Sequence, residues 1–480
     1  MDGKITLTPS QQAAFDGIVD FVKSKDQKVF ILTGYAGTGK TTITKQVIKQ
    51  LDAMEMRYNL CASTGRAAKI LSDKTGGLAT TVHSMIYTYN DFNKNLDTEI
   101  NNEGRHSDGQ LFLVFSFSPL PPYEGGGIYI VDEASMISDQ RSENNYQAVF
   151  GSGRLLSDLM KYDKAGKFVF IGDNCQLPPV GQAISPALTY DYFVKHFGIS
   201  PRTATLTEIM RQSGDNDIIR QSAEIRSRWT AAPSEPYTLP NNRNDWKFLP
   251  WRNSNNIKIV ADQEALLTEY FKRIKNFDYD KATLLTNSNS RCLKLSIRLR
   301  RSFGFYNVLN VNDLLLVTQN NLISGLMNGD LVKVKEIGRT EYKAGLKFVY
   351  VRVENIDDHK EYSQLLIEDV LTGINTNLNP DQQKALFIDF AIRMNDKGLK
   401  QKDELFKTAM QTDSYLNALR CVYGYALTVH KAQGGEWDEV FLDPMRNITL
   451  NPIKANYQWI YTAMTRAKKI LYIANDFFIR

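Results

Sequence analysis

The chain has 480 residues, of which 42% are hydrophobic and 23% are charged. This length exceeds what one hydrophobic core usually supports, so we expect two or more globular units, and the composition excludes a wholly disordered or fibrous protein. The 58 basic and 53 acidic residues give a formal net charge of +5, which is compatible with an anionic partner but does not identify one.

The four cysteines are far apart in the sequence and form no CxxC pair. This spacing argues against a disulfide framework and against a zinc cluster, and it favours a reducing compartment. The first residues contain no apolar stretch of signal-peptide length, and no window has about 18 consecutive apolar residues. We therefore expect a cytoplasmic protein, nucleoid-associated if the host is bacterial, with no membrane partner.

Short apolar runs rich in β-branched residues alternate with stretches of helical periodicity along most of the chain. The strand-like run 29–33 is followed by a helical stretch at 41–51, and the run 58–62 is followed by one at 65–71. Further strand-like runs lie at 127–131, 168–171 and 283–286. This alternation predicts parallel sheets covered by helices, which is an α/β fold.

A glycine-rich segment, GYAGTGKT, occupies residues 34–41, between the first strand and the first of these helices. Its glycines allow backbone N–H groups to turn toward phosphates, and the start of the next helix adds a favourable dipole. Lys40 should reach the β- and γ-phosphates, and the Thr41 hydroxyl should bind Mg²⁺. The segment therefore predicts ATP and Mg²⁺ as cofactors. The predicted ATP-binding residues are Gly34, Ala36, Gly37, Thr38, Gly39, Lys40 and Thr41 of this segment and the next residue, Thr42.

Two regions interrupt the α/β pattern. Residues 87–127 are rich in Asn, Asp, Gly, Pro and aromatic residues, which predicts a small inserted subdomain. Within it, Phe112, Phe115 and Phe117 alternate as on one face of a hairpin strand. These rings either form an exposed aromatic face or pack on their own domain. Residues 303–418 contain short strand-like runs and a polar helical stretch, which predicts a β-rich insertion with a helical flank.

An acidic pair ends the strand-like run in IYIVDEAS, just after the first insertion. We interpret Asp132 as the carboxylate that binds Mg²⁺, and Glu133 as the group that orients or deprotonates the attacking water. Alone, such a pair is most often a solvated strand end. The phosphate-binding segment in the same chain is what favours the functional interpretation.

Four further segments resemble the motifs of a known family. They are KFVFIGDNCQLPPVG at 167–181, LTEIMRQ at 206–212, YALTVHKAQGGEWDEV at 425–440 and YTAMTRAKK at 461–469. Together with the phosphate loop and the acidic pair, they resemble the superfamily 1 helicases of the 5′-to-3′ branch, which contains RecD, Dda and the PIF-type helicases. Six or more motifs in the same order are a specific signal that covers most of the chain.

The resemblance implies tandem RecA-like P-loop motor domains, with ATP bound between them. It also implies a small wedge or pin at the first insertion and an SH3-like domain at the second, where MNGDLVKV at 327–334 is similar to the NGD turn of the family. The predicted boundaries are 1–86 and 128–200 for the first motor domain, 87–127 for the wedge, 201–302 and 419–480 for the second motor domain, and 303–418 for the SH3-like insertion.

The resemblance assigns further contacts to the nucleotide. Gln11 resembles the glutamine that binds adenine, with Gln12 as the alternative register, and Gln176 resembles the residue that contacts the γ-phosphate or the attacking water. Arg211 and Arg466 resemble two arginine fingers of the second domain, and such a finger is worth about 10³ to 10⁵ in rate. A finger supplied across a cleft makes hydrolysis depend on closure. The predicted catalytic residues are Lys40, Glu133, Gln176, Arg211 and Arg466.

A nucleic-acid track is implied on both motor domains. A strand end followed by a hydroxyl, a glycine and a basic residue at a helix start can bind a phosphate. Because phosphate contacts carry no sequence information, such a track binds single strands largely regardless of sequence. Ser63 stands where many relatives carry proline, a departure that alters loop stiffness rather than role. The predicted DNA contacts are Thr64, Gly65, Arg66, Thr81, His83, Thr428, His430 and Lys431.

These motifs predict an ATP-dependent helicase that moves 5′ to 3′ on single-stranded DNA and separates the duplex ahead of it. The polarity follows from the resemblance alone. We expect single-stranded and duplex or forked DNA as partners of a monomeric motor, with accessory replication or repair proteins.

Other interpretations are less consistent with the sequence. A nucleic-acid-binding assembly subunit with a vestigial motor is the main alternative, and the complete set of chemical residues disfavours it. A small-molecule kinase leaves the two arginine motifs and the second motor domain unexplained. A nuclease lacks a further cluster of metal ligands. RNA stays open as a substrate, because contacts to the backbone discriminate it poorly.

Overall fold

The computed structural model describes residues 6–92, 115–121, 125–141, 148–208, 216–232, 234, 252–373, 375–445, 448 and 453–475. The helices are α1 (Pro9–Lys23), α2 (Lys40–Ala53), α3 (Gly65–Thr75), α4 (Val82–Ile86), α5 (Leu155–Tyr162), α6 (Tyr190–Phe197), α7 (Asp217–Ala231), α8 (Gln263–Ile274), α9 (Asn289–Ser302), α10 (Pro380–Asn395), α11 (Glu404–Thr412) and α12 (Lys454–Met464). None of the helices in these ranges combines the length and the apolar character that a membrane span requires.

The strands in the same ranges form four sheets, of six, five, five and three strands. They are β1 (Val29–Gly34), β2 (Tyr58–Ala62), β3 (Ala79–Thr81), β4 (Tyr87–Phe92), β5 (Phe115–Pro119), β6 (Ile128–Asp132), β7 (Ala148–Phe150), β8 (Lys167–Gly172), β9 (Arg202–Leu206), β10 (Ile257–Val260), β11 (Ala282–Thr286), β12 (Leu314–Val317), β13 (Leu331–Lys343), β14 (Leu346–Asn355), β15 (Glu361–Ile367), β16 (Cys421–Tyr423), β17 (Ala426–Thr428), β18 (Trp437–Leu442) and β19 (Ala467–Ala474).

The first motor domain is built on a six-stranded parallel sheet with the order β3-β2-β6-β8-β1-β9. Successive residues of β1 enter different cores, since side chains alternate across a strand. Val29 and Ile31 pack in one cluster with α5 and α6, whereas Phe30 and Leu32 pack in the other with α1 and α2. The sheet is therefore covered by helices on both faces, as the sequence predicts.

The second motor domain has a five-stranded parallel sheet in the order β10-β19-β18-β11-β17. One of its inner strands, β11, is buried along its whole length. Helices α8, α9 and α12 pack on this sheet or beside it. With the first sheet, this arrangement confirms the predicted α/β fold with tandem parallel sheets.

The second insertion carries an antiparallel sheet in the order β15-β14-β13-β12-β16. Residues from all five strands share a core with the second motor domain, whereas other residues of β14 and β15 pack with α10 and α11 in a separate cluster. The sheet includes β16, so it extends past the predicted boundary at residue 418, because Cys421 pairs with Val317. The SH3-like form of this insertion stays a prediction.

The three-stranded sheet lies in the first insertion and just after it. Strands β4 and β5 are antiparallel, with Tyr89 opposite Phe117 and Phe92 opposite Phe115. Strand β7 pairs with β5 in parallel. The backbone thus has the strand pairing of the predicted hairpin. Phe112 and the side chains of Phe115 and Phe117 lie outside the described residues.

Candidate ATP site and nucleic-acid interface

The phosphate loop joins the carboxyl end of β1 to the first residue of α2. Gly37 and Gly39 have φ angles of 80° and 84°, a backbone conformation that L side chains rarely adopt. A Cβ atom at Gly39 would lie 2.5 Å from Gln11 Nε2, so the close approach of the loop to α1 also requires glycine there. The local sequence therefore folds as a tight loop whose conformation depends on these two glycines.

Gln11, and not Gln12, contacts this loop. The Gln11 side chain is 3% exposed, and its Nε2 donates a hydrogen bond to Thr38 O at 3.0 Å. Its Oε1 accepts from Thr8 N at 3.1 Å in the capping box that starts α1. Gln12 is exposed and bonds to Asp16 instead. The structure thus separates the two registers that the sequence left open, while adenine recognition by Gln11 stays a prediction.

A cleft of about 340 Å³ lies between the two motor domains. The phosphate loop, including Lys40, Thr41 and Thr42, lines one side. Gly434, Glu436 and Arg466 of the second motor domain also line it. The Lys40 ammonium donates to Gly34 O at 2.6 Å and to Tyr35 O at 3.1 Å, so it lies folded over the loop.

The acidic pair lies in the same cleft, at the carboxyl end of β6. Glu133 has a φ of 49°, and its N–H donates to Asp132 Oδ1 at 2.9 Å. Burial, and next the negative charge of Glu133, raise the pKa of Asp132 to about 6, against the opposing charge of Lys40. Glu133 Oε2 is buried without a hydrogen-bond partner among the described residues. An unsatisfied carboxylate oxygen at this point suits a group that binds a water molecule.

Gln176 reaches the cleft from the turn that follows β8. Its backbone N–H donates to Asp173 O at 3.1 Å, which shapes the turn. Its side-chain Oε1 is buried, and within the described ranges it has no partner. The cleft thus contains two buried, unsatisfied oxygens, from Glu133 and Gln176, beside the phosphate loop. This arrangement fits a polar ligand with its own donors, such as water held by a nucleotide.

Arg466 is 4% exposed and lines the cleft from the opposite domain. Its guanidinium donates to Thr462 O at 3.1 Å, Gly435 O at 3.2 Å and Thr465 Oγ1 at 3.2 Å. All three acceptors are neutral, so the positive charge is not cancelled by a carboxylate in the part of the chain that is described. The other predicted finger, Arg211, lies outside the described residues.

The donor set fits Mg²⁺ held together with a nucleotide. The Thr41 hydroxyl and the Asp132 carboxylate line the same cleft, and Mg²⁺ is commonly bound by one or two such oxygens plus substrate phosphates. Across the described ranges, no group of three or more His, Cys, Asp or Glu residues could hold a metal by itself. A metal here would therefore depend on the phosphates for most of its ligands.

The predicted DNA contacts of the first motor domain follow β2 and β3. The hydroxyls of Thr64 and Thr81 cap α3 and α4 by accepting from Ala67 N at 3.2 Å and Ser84 N at 3.1 Å. His83 packs beside Phe150, with ring centroids 5.1 Å apart, and burial lowers its pKa. A histidine in this environment is neutral at pH 7.

Arg66 and Gly65 lie against other domains. The Arg66 side chain is 5% exposed; its guanidinium lies 4.9 Å from the Trp437 ring centroid and 3.6 Å from Asp357 Oδ1. Gly65 packs against Met327 of the NGD turn in the insertion. Arg66 thus joins the first motor domain to both other units in this structure, and a phosphate contact from Arg66 stays a prediction.

The corresponding residues of the second motor domain follow β17. Thr428 Oγ1 accepts from Lys431 N at 3.3 Å, which repeats the capping contact made by Thr64 in the first domain. Burial lowers the pKa values of His430 and Lys431. In both motor domains a threonine thus ends a parallel strand and bonds to the N–H three residues later.

Sequence reasoning did not single out Tyr461 or Tyr35, although both lie in quoted motifs. The Tyr461 hydroxyl contacts the phosphate loop at Ala36 N, 3.0 Å away, although the two residues are 425 positions apart. The Arg226 guanidinium of α7 lies 3.8 Å from the centroid of the Tyr35 ring. The sequence signal that could have indicated Tyr461 is the helical periodicity of YTAMTRAKK, which sets the side of α12 on which this residue lies.

Two families match the chain. The AAA domain family matches residues 6–234, and the UvrD-like helicase C-terminal domain family matches residues 423–474. The chain is 30% identical to the ATP-dependent RecD2 DNA helicase of Deinococcus radiodurans over 193 residues, which is 40% of this chain and 21% of that protein. It is 29% identical to the ATP-dependent DNA helicase dda of Enterobacteria phage T4 over 230 residues, 46% of this chain and 43% of that protein.

A solved structure shares the fold along nearly the whole chain. The Pif1 helicase from Bacteroides, in complex with ADP-AlF3 and single-stranded DNA, has a TM-score of 0.50 at 16% identity, and the match covers 99% of this chain and 93% of that one. This likeness supports the tandem RecA-like architecture. Together, the two family matches and the helicase relatives support an ATP-dependent superfamily 1 DNA helicase of the 5′-to-3′ branch, of the RecD, Dda and Pif1 type.

Proposed function

We propose that this chain uses ATP hydrolysis between its two motor domains to move 5′ to 3′ along single-stranded DNA and to separate the duplex ahead of it. The observation that carries the proposal is that Arg466 of the second motor domain lines the same cleft as Lys40 and Glu133 of the first. Positive charge from one domain and the phosphate-binding residues of the other are thus brought to one place.

In the proposed reaction, the phosphate loop binds the triphosphate, and Lys40 leaves its loop carbonyls to contact the phosphates. Thr41 and Asp132 would hold Mg²⁺, which neutralises charge on the phosphates when bound. Glu133 orients the attacking water and accepts its proton, and Gln176 contacts the same water. Arg466 stabilises the charge that develops at the γ-phosphate.

Because Arg466 belongs to the other domain, hydrolysis depends on closure of the cleft. Release of phosphate removes the anion that Arg466 contacts, so the domains separate again. If the DNA contacts after β2 and β17 tighten and loosen in turn, each cycle moves the strand. The free energy of ATP hydrolysis must offset the loss of about 1.4 kcal/mol of stacking for each base-pair step that is opened.

Single-stranded DNA is the proposed substrate, with forked duplex as the structure that is unwound. The Bacteroides Pif1 structure in complex with single-stranded DNA supports this choice.

We also propose that the chain acts as a monomer in the cytoplasm, or at the nucleoid of a bacterial host, beside accessory replication or repair proteins. An assembly subunit with a vestigial motor is not favoured, because Lys40, Glu133, Gln176 and Arg466 all line the cleft.

The test is phosphate release with and without an oligonucleotide, followed by unwinding of matched duplexes that carry a 5′ or a 3′ single-stranded tail. Lys40→Ala should abolish both activities, whereas Lys45→Ala, further along α2 and outside the cleft, should retain them. Unwinding by Lys40→Ala would contradict the motor assignment. Opening of only the 3′-tailed duplex would contradict the polarity.

A further inference from the structure

One tyrosine of the second motor domain touches two nucleotide-site segments of the first. Tyr461 is in α12 and is 0% exposed. Its hydroxyl accepts a hydrogen bond from Ala36 N at 3.0 Å and donates one to Asp173 Oδ2 at 2.7 Å. Ala36 belongs to the phosphate loop, and Asp173 begins the turn that carries Gln176.

Only a hydroxyl satisfies both contacts. The Ala36 N–H can only donate and Asp173 Oδ2 accepts, so the group between them must both accept and donate. Burial, and next the charge of Asp173, raise the pKa of Tyr461 well above its ordinary value, so the hydroxyl keeps its proton. Phenylalanine would fill the same space and lose both bonds.

The contact with Asp173 extends to the catalytic glutamine. Asp173 Oδ1 accepts from Cys175 N at 3.0 Å, and Asp173 O accepts from Gln176 N at 3.1 Å. The position of Asp173 therefore sets the turn that directs Gln176 into the cleft. Two hydrogen bonds thus connect the Tyr461 hydroxyl, through Asp173, to the backbone of Gln176.

Neighbours on the same face of α12 hold the turn but not the loop. Gln458 Nε2 donates to Gln176 O at 3.1 Å, and Thr462 Oγ1 accepts from Leu177 N at 2.9 Å. These residues, one turn before Tyr461 and one residue after it, show that the helix grips the turn at several points. Tyr461 differs because its hydroxyl also reaches Ala36.

The phosphate loop is held on its other side by its own domain. Lys40 donates to the carbonyls of Gly34 and Tyr35, the two residues before Ala36. When Lys40 moves to a nucleotide phosphate, these two bonds are lost. The bond from Ala36 to Tyr461 then remains, together with the contact between Arg226 and the Tyr35 ring, as a link from this part of the loop to the second motor domain.

We propose that Tyr461 is a positioning residue that makes the geometry of the phosphate loop and of Gln176 depend on the placement of the second motor domain. DNA that moves this domain would change the loop through Tyr461, and ATP at the loop would change the grip on DNA by the same route. Such coupling is reciprocal, because it is a free energy shared by two binding sites. This inference rests on the function proposed above.

The test compares three variants of the full chain. Tyr461→Phe removes the shared hydroxyl, and Thr462→Val cuts a bond to the turn without touching the loop. Tyr472→Phe is the matched control, since its hydroxyl accepts a hydrogen bond from Arg273 of α8, away from the cleft. The measurements are kcat and KM for ATP with and without single-stranded DNA, and DNA affinity with and without a non-hydrolysable ATP analogue.

We expect Tyr461→Phe to lower the DNA-stimulated kcat about tenfold, as for loss of a buried hydrogen-bond partner, and to lower the DNA-independent rate by a smaller factor. The change in DNA affinity caused by the ATP analogue should shrink by a similar factor, because the coupling is reciprocal. Thr462→Val should retain most of that change, and Tyr472→Phe should match the wild type.

Equal losses of the basal and DNA-stimulated rates in Tyr461→Phe would show a purely structural role and overturn the proposal, as would unchanged coupling. If the variant does not fold, hydrogen exchange of the wild-type loop 34–41 decides the matter. Addition of single-stranded DNA alone should alter that exchange, and no change would overturn the proposal. A wild-type protein without DNA-stimulated ATPase activity would contradict the proposed function instead.

Discussion

The Lys69 ammonium, on α3 of the first motor domain, lies 2.8 Å from Asp358 Oδ2, in the turn between β14 and β15 of the insertion. Burial would raise the pKa of the Asp358 carboxyl, but the hydrogen bonds from Lys69 and the Lys360 backbone and the nearby positive charges outweigh it and hold the pKa below its ordinary range. The insertion is therefore attached to the first motor domain by an ion pair that depends on pH and salt.

We expect this pair to stabilise the docked arrangement by about 1 kcal/mol or less, because both side chains are partly exposed. Since the folded-state pKa of Asp358 is lowered, the contribution is present at neutral pH and is lost as the pH falls below about 4. A double-mutant cycle of Lys69→Ala and Asp358→Ala, read by thermal unfolding at two pH values and two salt concentrations, measures it. A coupling that persists in high salt and acid would contradict this assignment.

A buried ion pair joins the insertion to the second motor domain. Arg300 Nε donates to Asp313 Oδ1 at 2.7 Å, and Asp313 is 0% exposed. Arg300→Ala should lower the free energy of unfolding by about 3 to 5 kcal/mol, because it leaves the Asp313 charge buried without its partner. Arg298→Ala, in the same helix, removes an exposed pair with Glu264 and should cost about 1 kcal/mol or less. Urea denaturation compares them, and equal effects would contradict the prediction.

Glu133→Gln should separate nucleotide binding from hydrolysis. The amide retains the size of the side chain but cannot accept the proton of the attacking water, so kcat should fall by about 10² to 10⁴. KM for ATP should change little, because Glu133 is not proposed to bind the nucleotide. Phosphate release at varied ATP concentration measures both, with the exposed Glu264→Gln as the control. A variant with normal kcat would exclude Glu133 as the base.

Gly65→Ala should weaken the contact between α3 and the NGD turn. A Cβ atom at this position would lie 2.6 Å from Met327 Cβ, too close for two carbon atoms. The expected cost is about 1 to 3 kcal/mol from overpacking, although alanine by itself favours helices. Thermal unfolding of Gly65→Ala, with and without Met327→Gly, measures it. Stabilisation by Gly65→Ala, or failure of the second change to restore stability, would contradict the packing.

The ATP-site motifs were predictable because their structure is local. Alternation along β1 and the left-handed glycines of the loop depend on residues close in sequence. The placement of Arg66 was not predictable in the same way. Its guanidinium contacts Asp357 and the Trp437 ring, which are both far away in the sequence. Only the packing of the three units brings these residues to α3.

The extent of the second insertion shows the same distinction. Its short strand-like runs predicted a β-rich unit, but β16 joins that sheet from beyond the expected boundary. A strand of three residues carries too little periodicity to reveal its partner. Pairing with Val317 is a property of the assembled sheet.

The amino-acid sequence by itself determined the phosphate loop, the acidic pair, the alternation of strands and helices and the order of the helicase motifs, because backbone conformation and hydrophobic periodicity act over a few residues. Only the tertiary structure decided that Gln11 rather than Gln12 contacts the loop, that Arg466 lines the cleft from the second domain, and that Tyr461 contacts the phosphate loop. Those contacts join residues distant in the chain, and their distances depend on how the sheets and helices pack against one another.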